Sequence, residues 1–289
     1  MSPNPSITPI TFVVSVNDRE LFDRNFLASP CLSRLRDYQV LTQQNFSSAA
    51  KAYNDAIDQA TNDLIVFCHQ DILLPEAWLS QLEHALSQLE SLDPNWGVLG
   101  SYGKAQDGRG WGHVYSSGRG VIGEPFDQPI EIQTLDEIVL ILRKSSGLRF
   151  DDLLPHFHFY GTDICLRAAQ RGMKSYAVST FCIHNTHQYL VLPKEFYECC
   201  SHIKRVWKSC LPIQTTCVRI TKLNLSIYTR RLRELKLRHI RRIEYGGRRV
   251  QDPSPLLKEY GNASEGASPA TVSPVVFIPP AGLRNKTII

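Results

Sequence analysis

The chain has 289 residues, 43% hydrophobic and 21% charged, the balance of a globular protein long enough for a sizeable core, which excludes collagenous and wholly disordered classes. The net charge of +4 conceals a division, since residues 1–203 carry 15 Lys and Arg against 23 Asp and Glu, whereas residues 204–289 carry 17 against 5. An acidic body argues against a nucleic-acid surface there, and no nucleic-acid partner is expected.

In chain order, residues 11–16 (TFVVSV) read as a strand, and Asn17-Asp18 can open a helix. Residues 38–41 form a second short strand. Ser47 and Ser48 can cap a helix over 49–60, and residues 64–68 (LIVFC) are apolar on both faces, as a buried parallel strand is. A long helix follows over 75–89, then a buried strand over 97–100. The Gly-rich stretch to Gly123 lacks a G-x-G-x-x-G opening a helix and reads as loops with a hairpin near residues 116–120. A strand over 138–142, a helix over 162–172 and a last strand over 175–182 complete the body. Alternating strand and helix signals imply an α/β fold with a mostly parallel, doubly wound sheet.

Residues 1–210 are expected to form this body, 211–249 a basic helical appendage, and 250–289 a disordered tail rich in Pro, Ser and Gly. In the appendage, Leu225, Tyr228, Leu232 and Leu235 recur at helical spacing among arginines. Such a helix packs its leucines on the body, the first reading, or rests on an anionic membrane through residues 222–245. Eight cysteines without a C-x-x-C pair read as buried thiols of a reducing compartment. Residues 1–10 lack the features of a signal peptide and no stretch approaches the ~20 apolar residues of a membrane span. A cytoplasmic location, peripheral to the inner membrane face if the basic helix binds lipid, is the expectation.

In an open parallel sheet, ligands bind beyond the carboxyl ends of the strands. That rule selects Asn17 and Asp18, Gln44 and Asn45, His69 to Asp71, and His184. A carboxylate at Asp71 and an imidazole at His184 suit Mn²⁺ or Mg²⁺ with positions open to phosphate oxygens.

These segments carry a resemblance. Residues 63–72 (DLIVFCHQDI) with Pro75 and Trp78 resemble the DxD segment of family 2-type glycosyltransferases of GT-A fold, in the branch where the triad reads HQD. Residues 48–57 (SAAKAYNDAI) resemble their small-residue helix, residues 159–168 (FYGTDICLRA) their acidic helix, and Ile183-His184 the trailing histidine. The resemblance spans residues 10–190 and implies an inverting, divalent-metal-dependent transfer of a sugar from a nucleotide-sugar donor to a hydroxyl on a glycan, lipid-linked or protein acceptor. It assigns Asp71 and His184 to the metal, Asp163 to the catalytic base, and Asn17, Asp18, Gln44, Asn45, Asn54, His69 and Asp71 to the donor.

Three departures stand out: His69 for the first DxD aspartate, Tyr53 for an arginine, and Thr162 for a glutamate. They motivate a catalytically silent nucleotide- or sugar-binding module as an alternative. A sugar-phosphate nucleotidyltransferase is a third reading, disfavoured because residues 16–20 (VNDRE) contain no glycine. Asp71 as a turn residue, Asp163 as a first-turn helix carboxylate and His184 as a strand-end histidine are the purely structural alternatives. Asp136, Trp111 and His158 are weaker candidates for the acceptor side, and Asp136-Glu137 reads equally as a solvated strand entrance.

Overall fold

The structure is a computed structural model and describes residues 9–187, 191–237 and 249–261. Its strands are β1 (Ile10–Ser15), β2 (Tyr38–Gln43), β3 (Leu64–His69), β4 (Ile72–Leu73), β5 (Val98–Gly100), β6 (Tyr102–Lys104), β7 (Gly110–Ser116), β8 (Gly120–Gly123), β9 (Ile130–Ile132), β10 (Thr134–Leu135), β11 (Val139–Arg143), β12 (Ser175–Ala177), β13 (Cys182–His184), β14 (Ile213–Gln214) and β15 (Arg219–Ile220). Its helices are α1 (Arg19–Arg24), α2 (Ala49–Gln59), α3 (Trp78–Leu92), α4 (Tyr160–Gln170), α5 (Lys194–Val206), α6 (Leu225–Leu237) and α7 (Ser254–Tyr260).

The main sheet has the order β2-β1-β3-β11-β5-β12-β9. β2, β1, β3, β5 and β12 run in one direction, while β11 and β9 run against them. The α/β architecture with a mostly parallel sheet is therefore as the sequence implies. Within β3, Ile65 and Phe67 point into a core shared with α2, α4 and α5, while Leu64, Val66 and Cys68 point into a second core shared with α3. Alternation along strands covered on both faces accounts for the unbroken apolar run. Ser48 caps α2, its Oγ accepting from Lys51 N at 3.4 Å.

The Gly-rich stretch forms the antiparallel strands β6, β7 and β8 of a second sheet, ordered β10-β6-β7-β13-β4 with β8 beside β7. Gly123 sits at φ +76°, and a Cβ there would collide with the Gly112 carbonyl across the hairpin. The single strand expected over 175–182 divides in two: β12 joins the main sheet beside β5 and β13 joins the second beside β7 and β4. A helix, α7, lies within the stretch whose composition suggests disorder: Leu256, Leu257 and Tyr260 pack near Leu73, Phe181 and Ile183. Residues 262–289 lie outside the described residues.

Candidate functional site

Strand register sets the floor of the site. Ser15 pairs with Gln43 on one side and with His69 on the other, so the carboxyl ends of β2, β1 and β3 reach one level. β3 ends there, the chain turns through Gln70 and Asp71, and β4 leaves antiparallel to β13 with Ile72 opposite His184. That pairing carries His184 back across more than a hundred residues to Asp71, and Asn185 N fixes the turn by donating to the Asp71 carbonyl at 2.9 Å.

Three side chains converge as a result. Asp71 Oδ1 lies 3.4 Å from His184 Nε2 and 4.0 Å from His69 Nδ1, and the two imidazole nitrogens are 3.4 Å apart. The point equidistant from these three atoms is about 2.1 Å from each, within the ordinary span of bonds from nitrogen and carboxylate oxygen to a divalent metal. Tyr160 favours the same use. Its hydroxyl donates to the Glu137 carbonyl at 3.2 Å, so the 3.0 Å contact with His69 Nε2 requires the imidazole N–H there and leaves a lone pair on Nδ1, facing the cluster. Burial, reinforced by neighbouring His184, lowers the His69 pKa to about 4, keeping the ring neutral near pH 7. Burial alone would raise the pKa of Asp71; the charge and hydrogen bond of His184, then His69 and Arg249, outweigh it and hold the carboxyl well below its usual range.

The cluster borders a cavity of about 480 Å³ lined by residues of the three strand ends, with Tyr53, Phe157 and Tyr160. Gln44 and Asn45 line it as expected, as does Asn17, whose backbone N–H and side chain both bond Gln70. Two other donor candidates are used elsewhere. The Asp18 carboxylate caps α1 by accepting from Leu21 N at 3.0 Å. The Asn54 amide spans the Phe150 backbone, accepting from its N–H at 2.9 Å and donating to its carbonyl at 3.0 Å, which fixes the 150–152 loop.

The acidic groups are also redistributed relative to the sequence reading. Asp163 is fully buried, with Oδ1 accepting from Trp207 Nε1 at 2.8 Å and Oδ2 from Arg167 Nε at 2.7 Å and Asp151 N at 3.3 Å. Enclosed and saturated, it joins α4 to the end of α5 and does not line the cavity. Arg167 keeps Asp151 as a partner, so Asp163→Ala should cost about 1–3 kcal/mol of stability through the unmet Trp207 and Asp151 N–H donors, which urea unfolding would measure. The backbone at Glu137 and Ile138 borders the cluster instead: the Ile138 carbonyl accepts from His69 N and the Glu137 carbonyl takes the Tyr160 hydroxyl, while neither Asp136 nor Glu137 lines the cavity. The Glu137 carboxyl faces the N–H groups of Gly161 and Phe159, yet burial and adjacent Asp136 push its pKa up to about 8.

Of the acceptor candidates, Trp111 packs against Phe126 on the second sheet, at 6.1 Å between centroids, and does not line the cavity. His158 rests against Phe196, at 5.6 Å. Phe157 between His156 and His158 reaches the cavity and is 42% exposed. His156 and Phe159 hold positive φ angles of 58° and 64°, an irregular path that no sequence signal announces. The His156 carbonyl accepts from Ala49 N at 2.9 Å, tying this loop to α2.

The leucine stripe of α6 is where the packing reading fails. Leu225, Tyr228 and Leu232 are about 60% exposed and Leu235 43%, while Ile227 and Glu234 face the body. Glu234 is held there by Tyr197 Oη at 2.5 Å and Arg230 Nε at 3.0 Å. Residues 238–245 of the expected basic segment lie outside the described residues.

Residues 11–200 match the model of a glycosyltransferase-like family. The chain belongs to that family. A curated relative in Fuscovulum blasticum, described as "ATP synthase subunits region ORF 6", is 30% identical over 128 residues, covering 42% of this chain; the chain spans about half the length of that relative. Among solved structures, S. aureus TarS is similar with a TM-score of 0.42 and 13% identity, over 68% of this chain and 39% of TarS. A197 from STIV is similar with a TM-score of 0.37 and 16% identity, over 60% and 82%. Among the described residues no helix is long and apolar enough to cross a membrane.

Proposed function

We propose that the protein is an inverting, divalent-metal-dependent glycosyltransferase that moves a sugar from a nucleotide-sugar donor to a hydroxyl group of a glycan, lipid-linked or protein acceptor. The observation that carries this reading is the convergence of His69 Nδ1, Asp71 Oδ1 and His184 Nε2 beside a cavity at the strand ends, which His69 and Asp71 help to line. Two imidazoles and one carboxylate form a donor set better matched to Mn²⁺ than to Mg²⁺, which prefers oxygen ligands. Such a cation supplies positive charge against the diphosphate leaving group.

The chain's own groups do the rest. Gln44, Asn45 and the Asn17–Gln70 pair offer amides to the nucleoside, and Tyr53 and Phe157 give it apolar walls. Tyr160 holds His69 in the tautomer that presents Nδ1. With Asp163 sealed in its own network, the base role falls to Glu137, which stands outside the cavity lining but whose backbone carbonyl holds Tyr160 at the cavity wall: as the acceptor oxygen bonds to the anomeric carbon and the bond to phosphate breaks, the acceptor proton passes to its carboxylate. A pKa near 8 suits a base working near neutrality.

The exposed face of α6 supports a second element of this reading, peripheral attachment to an anionic membrane on its reducing, cytoplasmic side. Four large apolar residues stand out of a basic helix, the pattern of an interfacial helix. Sedimentation with phosphatidylglycerol-rich vesicles should recover the protein, and Leu225→Asp with Leu232→Asp should reduce that recovery several-fold. Equal binding by the double variant would remove α6 from the contact.

A nucleotide-release assay over a panel of sugar nucleotides, with Mn²⁺ and with EDTA, tests the catalytic reading. Metal-dependent release is expected. Tight binding without turnover in the presence of varied acceptors would favour the silent module, and release of pyrophosphate from nucleoside triphosphate and sugar phosphate the nucleotidyltransferase.

A further inference from the structure

Asp71 divides its two oxygens between different partners. Oδ1 faces the two imidazoles, whereas Oδ2 accepts a hydrogen bond from Arg249 Nη2 at 2.8 Å. The same guanidinium donates through Nε to the Asn185 carbonyl at 3.0 Å. Arginine has five N–H donors and two are used here, while 26% of the side chain remains exposed. The guanidinium therefore stands beside the candidate metal position with donors not spent on Asp71 or Asn185.

The segment that delivers Arg249 is fastened on both sides of the sheet edge. Asn185, fully buried, accepts from Val250 N at 2.9 Å and donates to the Val250 carbonyl at 2.9 Å, and its amide also reaches Asn25 Oδ1 at 2.9 Å. Downstream, the Tyr260 ring lies on Tyr115, at 4.5 Å between centroids, while Leu256 and Leu257 pack against the Leu73–Phe181–Ile183 cluster. The backbone next to Arg249 is thus fixed before any substrate arrives, so little ordering entropy is left to lose on binding.

Charge tells what such donors would take. A divalent cation, the Asp71 carboxylate and the Arg249 guanidinium together leave two net positive charges at one point, which suits a diphosphate. We propose that Arg249 binds the diphosphate of the nucleotide directly, through the guanidinium edge not used on Asp71 and Asn185. This rests on the donor-site reading given above. Arginine matches phosphate oxygens with paired donors, so a lysine at this place would keep the charge and lose the fork. Arg249 then serves the donor site from its place on the Asp71 carboxylate, outside the residues that line the cavity.

Calorimetric titrations of the full chain with Mn²⁺ alone, and with UDP, GDP, ADP and dTDP in saturating Mn²⁺, test this. For Arg249→Gln, Mn²⁺ should bind no more weakly than in wild type, while the best diphosphate should lose about 10–100-fold in affinity, the value of a charge-assisted contact. Arg249→Lys should lose less. Unchanged diphosphate affinity in Arg249→Gln would reduce Arg249 to a counter-charge for Asp71, and tighter diphosphate binding would make it an obstruction; either result overturns the proposal. So would loss of Mn²⁺ binding together with a large fall in melting temperature in both variants, which would make the contact structural. If the wild-type protein binds Mn²⁺ but none of the diphosphates, the donor-site reading itself fails, and this inference with it.

Discussion

Asp71→Ala should weaken Mn²⁺ binding by at least about 100-fold, because loss of a metal ligand costs more than the 10–100-fold typical of the groups that orient ligands. The variant should also lose metal-dependent nucleotide binding. Asp71 sits at a strand end and its backbone carbonyl, not its side chain, holds the Asn185 turn, so the fold should survive and circular dichroism should be unchanged. The substitution also strips Arg249 of its carboxylate partner, leaving its guanidinium without a counter-ion and the two imidazoles without the oxygen they share. An Asp71→Ala protein that binds Mn²⁺ and nucleotide with wild-type affinity would place the metal elsewhere.

Glu137→Gln should slow transfer by about 10²–10⁴-fold while donor binding is kept, the range expected for loss of a general base. In wild type the base must be ionised. With its pKa near 8, transfer should rise about tenfold per pH unit toward pH 8 and level off above it. The variant should lack this limb. Stability moves the opposite way: the folded carboxyl keeps its proton up to about pH 8, whereas the unfolded one releases it near its ordinary value of 4.5, so stability falls as pH rises through that window. Glu137→Gln is spared this loss and should melt above wild type at pH 8–9. A variant with full transfer activity, or one in which donor binding is lost as well, would take the base role away from Glu137.

How much of this was legible in the sequence depends on whether a residue's task is local. The apolar run of β3 and the cap at Ser48 are local, and both appear where the sequence puts them. The pairing of Asp71 with His184 was legible from strand-end position, but the third member was not: His69 reads as a lost aspartate until Tyr160 is seen to fix its tautomer. The surroundings of Asp163 were not legible, because a first-turn helix carboxylate reads the same in sequence whether it faces a cleft or the core. Trp207, forty-four residues further on, decides that this one is enclosed. The leucines of α6 misled for a similar reason, since helical spacing identifies an apolar stripe and not the direction it faces. Arg249 belonged to no motif at all. Its role is visible only once Asn185 draws the chain beyond it back over the sheet edge.

The most direct test is anomalous diffraction at the manganese edge from crystals grown with Mn²⁺ and a nucleoside diphosphate. A single strong peak is expected among His69 Nδ1, Asp71 Oδ1 and His184 Nε2, with the diphosphate between that peak and Arg249 and the base in the cavity walled by Tyr53 and Phe157. A manganese peak away from these three atoms, or a nucleotide lying outside that cavity, would contradict that expectation.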